Sequence, residues 1–94
     1  MDAFDLEVFG RVVDDYEAIH TIRGDLEREL SRPIAADEVA AALLRLVDSG
    51  FVDAFEYGSA SNSWVEARTE GIDVGELWFV ANSRGRAEYE RLAA

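Results

Sequence analysis

Between residues 33 and 57 the chain reads PIAADEVAAALLRLVDSGFVDAFEY, and this stretch limits the fold more than any other. Val39, Leu43, Leu46 and Val47 recur at i, i+4, i+7 and i+8, which predicts a helix over 36–49 with one apolar stripe and with Ala36 and Ala40 beside it. Ser49-Gly50 then stops the helix, because glycine takes the left-handed position after a helix end without a Cβ clash. Phe51 and Val52 follow at once, so a strand over 52–57 leaves in a new direction. The helical stripe and the strand must bury their apolar residues against a common core.

The flanking segments supply the rest of that core. Leu6, Phe9 and Val13, with Val12 adjacent, form a helical stripe opposite Asp5, Glu7 and Arg11 and predict a first helix over 4–13. Asp14 and Glu17 have the D-x-x-E spacing of a capping box, which predicts a second helix over 17–31. Its core face is Ile19, Ile22, Leu26 and Leu30, while Arg23, Asp25, Glu27, Arg28 and Glu29 point outward with both signs interleaved. Gly24 in its middle marks either a close approach or a weak point. Arg32-Pro33 ends this helix, and Ala35 stands where a capping side chain is expected three residues ahead of Glu38, so the third helix begins with half a capping box. ELWFV at 76–80 is a second strand, antiparallel to the first. The connection over 58–75 reads as an extended loop with a short strand from Trp64 to Arg68. Asn82 is a good N-cap for a last helix over 83–93, with Tyr89 and Leu92 on one face.

Composition removes most chemistry. Ninety-four residues form one domain, and the absence of cysteine excludes a disulfide framework, a thiolate nucleophile and a cysteine-based zinc site. His20 is the single histidine and reads as a surface residue of the second helix, so no Ser-His-Asp assembly is arguable. Asp14-Asp15 lacks the alternating ligands of a Ca²⁺ loop, and Gly71 and Gly75 lack the context of a phosphate-binding loop. The expectation is therefore a protein without enzymatic activity, resident metal or cofactor. The acidic N-terminus and the lack of a membrane-length apolar run predict a cytoplasmic location and no membrane partner. Twenty carboxylates against nine cations, all of them arginine, give a net charge of −11. A field of that sign repels phosphate backbones, although physiological salt screens it over about 8 Å.

Helix, helix, short turn, helix, hairpin and helix is the layout of a winged helix-turn-helix domain. EVAAALLRLVDSGFVDAF resembles the third helix and first wing strand of many bacterial winged-helix regulators. LWFVANSRGRAEYERL is similar to their returning wing strand and last helix, with the Trp78-Phe79 pair, Asn82 and Gly85 in the recurring places. The resemblance implies an α+β fold over 1–94, a three-helix core with a β-hairpin wing and a C-terminal helix. It also implies that the third helix enters a major groove and that the wing touches the adjacent backbone. The outward positions would then be Asp37, Glu38, Ala41, Ala42, Arg45 and Asp48, of which only Arg45 can pair with a guanine edge or a phosphate. From Pro33 to Tyr57 there are five anions against that one cation. Arg23, Arg28 and Arg32, Arg68 in the wing, and Arg84, Arg86 and Arg91 are the further candidates. Each arginine on the second helix has a carboxylate within one turn and reads as an ion-pair partner.

Leu44, Trp64, Val65 and Trp78 are left over once the core is filled; they either pack inside or form a contact surface. The leading expectation is thus a non-catalytic winged-helix domain mediating protein–protein contact or self-association as a homodimer, with those four residues as its interface. The alternative is a DNA-binding transcriptional regulator acting as a dimer, with contacts from Arg45, Arg68, Arg23 and Arg28. A third reading makes the acidic surface an imitation of DNA phosphates.

Overall fold

The computed structural model describes residues 1–58, 63–69 and 73–94, so the predicted loop over 58–75, Gly71 included, lies partly outside the described residues. Asp2 starts helix α1 (Ala3–Arg11) by accepting from the Asp5 amide at 2.7 Å. The helix ends two residues before the predicted boundary, because the Val12 carbonyl accepts from the Ala81 amide at 2.8 Å and draws the chain toward the sheet. Its buried row is Val8, Phe9 and Val12, with Asp5 also inside, whereas Leu6 and Val13 are half-buried. The predicted inner row was therefore placed too far round the helix, and Asp5 does not face outward.

Residues 14–18 depart further from expectation. Glu17–Ala18 form a two-residue strand β1, antiparallel to a later strand, with Glu17 opposite Phe79 and Ala18 opposite Trp78. The Asp14–Glu17 capping box is not made: Asp15 accepts from the Tyr16 amide at 2.8 Å, and α2 (Ile19–Leu30) begins after Ala18 with no side-chain cap. Pairing with the sheet commits the residues that local sequence assigned to a helix start. Ile19, Ile22 and Leu26 are buried as predicted, and Leu30 is partly buried against the core. Ser31 closes α2 in the left-handed conformation, at φ 54°, just ahead of Arg32-Pro33.

Helix α3 (Ala36–Asp48) buries Val39, Ala42, Leu43 and Leu46. Its start is the half box expected, since Glu38 accepts from the Ala35 amide at 3.3 Å while alanine offers no return. Ala42 is fully buried, so its place among the outward groove-facing residues is corrected: it lies one turn ahead of Leu46 on the inner stripe. Gly50, at φ 82°, turns the chain into β2 (Val52–Gly58), which pairs antiparallel with β3 (Ser63–Glu66) on one side and β4 (Trp78–Ala81) on the other. A short 3-10 turn at Val74–Glu76, closed by Leu77, takes the first residue of the predicted second strand, which therefore begins at Trp78. The strand order is β1-β4-β2-β3.

Directly opposed residues share a sheet face. Val52, Ala54, Phe79 and Ala81 therefore line the buried face, against which the three helices are packed, while Phe55, Tyr57, Trp64 and Trp78 stand on the other. Helix α4 (Ser83–Ala93) is capped by Asn82, whose Oδ1 accepts from the Gly85 amide at 2.9 Å and whose Nδ2 donates to the Gly50 carbonyl at 3.0 Å. One side chain thus joins the start of α4 to the turn after α3. Tyr89 then meets Phe9 edge-on, with ring centroids 5.4 Å apart.

Candidate functional site

The exposed side of α3 carries Ala36, Asp37, Glu38, Ala41, Arg45 and Asp48. Arg45 is its only cation, and the guanidinium does not stand alone. Nε donates to Asp5 Oδ2 at 2.9 Å and Nη2 to Asp5 Oδ1 at 2.7 Å, a two-pronged pair from α3 to α1. The carboxylate end is buried and the guanidinium half-exposed. Hydrogen bonds from Arg45 hold the Asp5 carboxyl below its ordinary range, overcoming the desolvation that pushes it up, and raise Arg45 in turn. Among the described residues Nη1 has no hydrogen-bond partner, so one edge of the guanidinium still faces outward.

The other arginines are mostly committed. Arg23 pairs with Glu27 at 3.7 Å, Arg28 with Asp25, Arg11 with Glu29, Arg32 with Glu38 at 3.6 Å and Arg91 with Glu88 at 2.6 Å. Arg86 donates to the Ala81 carbonyl at 2.9 Å, and Arg84 lies over the Phe51 ring at 5.2 Å. Arg68, exposed just beyond β3, makes no ion pair among the described residues. Arg45, Arg68, Arg23 and Arg28 are consequently not gathered into one continuous basic row, since three of them are tied to carboxylates on α1 and α2.

The four apolar candidates divide differently. Trp64 and Trp78 meet edge-on at 5.4 Å, and Tyr16 stacks on Trp64 at 4.1 Å with the rings 9° from parallel. Tyr57 and Phe55 complete the group, at 5.0 Å from Trp64 and 5.2 Å from Tyr16. Val65 is exposed on the opposite face of β3, and Leu44 is half-buried on α3, so neither joins this aromatic group. Sequence reasoning missed Tyr16, assigned to a capping break, and Asp5, assigned to an outer face. The alternation of Phe55 and Tyr57 along β2 was the available signal for the aromatic side. His20, Asp14 and Asp15 are exposed, and among the described residues no group of three His, Cys, Asp or Glu side chains is placed to hold a metal.

With this geometry in place, a solved structure of similar shape is informative. The crystal structure of Bacillus subtilis PadR in complex with operator DNA superposes on 98% of this chain with a TM-score of 0.69. The fold is a winged helix. Sequence identity with PadR is 13%, which carries the fold and nothing finer, and the chain spans 48% of the PadR chain. No family model and no curated protein matches the sequence. In winged-helix terms α3 is the third helix, and the two strands the resemblance named as the wing are β2 and β4, paired antiparallel, with β3 added along the other edge of β2. No described helix is long and apolar enough to cross a membrane.

Proposed function

We propose that this chain is the DNA-contacting domain of a transcriptional regulator, laying α3 in a major groove with the wing against the neighbouring backbone and acting as a dimer. The observation that carries the reading is Arg45 on the uncovered side of α3, its guanidinium plane fixed by buried Asp5 and its Nη1 directed away from that pair. An arginine held in one orientation loses little side-chain freedom on meeting a guanine edge. Exposed Ala41 beside it is small enough for close approach to a groove floor and is suited to a thymine methyl. The likeness to PadR on its operator supports the same docking.

The net charge of −11 opposes approach to DNA, and its range is set by salt: about 8 Å at physiological ionic strength and about 3 Å at 1 M. Binding through one or two arginines releases few counterions, so affinity is expected to hold or rise with salt, whereas ordinary binders lose about 10³–10⁵ between 50 and 200 mM. Selection from randomised duplexes by the intact chain, at low and at molar salt, tests this. One enriched motif at molar salt, lost in Arg45→Ala, is expected; no motif at either salt refutes the reading.

A second reading, contact with a basic protein, has one observation in its favour. The outer side of α3 bears Asp37, Glu38 and Asp48 against a single guanidinium already paired. It predicts that no duplex is enriched and that charge reversal of those three acids abolishes capture of the basic partner.

A further inference from the structure

The outer side of the sheet holds a shallow cleft of about 410 Å³ lined by Asp15, Tyr16, Tyr57, Trp64 and Trp78. We propose that this cleft binds a small organic cation of the quaternary or permethylated ammonium class. Four aromatic rings line it: Tyr57 and Trp78 pack edge-to-face on Trp64, at 62° and 71°, and Tyr16 stacks on Trp64, so the wall is almost wholly aromatic. A π face is electron-rich and attracts a cation lying within about 6 Å of its centroid. Asp15 adds a carboxylate at the rim, Glu66 follows Trp64 on the same side of β3, and none of the lining residues is cationic.

The character of the cation follows from the walls. A divalent metal requires about six oxygen ligands, and the cleft offers one carboxylate with aromatic carbon. A primary ammonium keeps its hydration tightly, whereas a methylated ammonium sheds water onto aromatic faces at little cost and retains its charge. A neutral apolar solute would gain the contact and forgo the electrostatic term. The size of the cleft and its opening to solvent suit a free solute, which commits the site to a small molecule. The site is separate from the exposed side of α3, so the inference does not depend on the DNA reading.

Both tryptophans of the chain, Trp64 and Trp78, line this cleft, so intrinsic tryptophan fluorescence reports on it alone. Choline is titrated into the intact protein at constant ionic strength against sodium chloride, with its uncharged isostere 3,3-dimethyl-1-butanol in parallel. A saturable change with choline, at least about fivefold tighter than with the alcohol, is expected. Asp15→Asn keeps the oxygen that accepts from the Tyr16 amide and removes the charge, so it is expected to weaken choline and leave the alcohol unchanged. Tyr16→Ala is expected to weaken both, with far-UV circular dichroism confirming the fold. Equal affinity for choline and alcohol, a change that never saturates, or a spectrum that shifts with protein concentration alone overturns the proposal; the last result would make a second copy the occupant.

Discussion

Two glycines in helices give the same substitution opposite signs. A Cβ built on Gly85 falls 1.9 Å from the Phe51 carbonyl oxygen and 2.9 Å from its carbon. An ordinary carbon–oxygen contact needs about 3.3 Å, and the obstacle is backbone, which cannot rotate aside as a side chain would. That carbonyl also accepts from the Asn82 amide at 3.1 Å, so relieving the clash breaks the join between α4 and the turn after α3. Overpacking costs about 1–3 kcal/mol and the lost hydrogen bond about 0.5–1.5 kcal/mol, against about 1 kcal/mol gained in helix propensity. Gly85→Ala is therefore expected to destabilise by about 1–3 kcal/mol. At Gly24 the nearest atom to an added Cβ is Arg28 Nη1 at 3.8 Å, an ordinary contact, so Gly24→Ala should stabilise by up to about 1 kcal/mol. Urea unfolding followed by far-UV circular dichroism measures both at unchanged m-value. A neutral or stabilising Gly85→Ala would refute the tight-junction argument, and a destabilising Gly24→Ala would show that α2 packs more closely there than its geometry indicates.

Further expectations concern the core and the buried acid. Leu43→Ala empties a fully buried site and should cost about 2–5 kcal/mol by the same measurement. Because the Asp5 carboxyl is lowered in the folded state, its contribution is present above its unfolded value near pH 4 and is lost as pH falls below that. Asp5→Asn should consequently flatten the acid limb of the stability profile. Glu17 behaves oppositely: burial first, then Asp25 and Asp15, push it up, so its ionisation costs stability as pH rises above about 4.5. Glu17→Gln should remove that loss, and a profile unchanged by it would count against the placement of β1.

The residues that belong to regular periodic segments were legible in the chain. The α3 stripe, the glycine stop and the Asn82 cap each rest on contacts within a few residues, and local geometry repeats often enough there to be read as a pattern. What only tertiary structure decided involves partners far apart along the chain. Asp5 is an inward residue because Arg45 arrives from another helix, and β1 is a strand because Phe79 and Trp78 lie beside it. Two residues carry no periodicity from which such a strand could be recognised. Gly24 and Gly85 show the same division: each is visible as a helix glycine in the sequence, yet only packing separates Gly24, beside which a Cβ has room, from Gly85, where the Phe51 backbone leaves none.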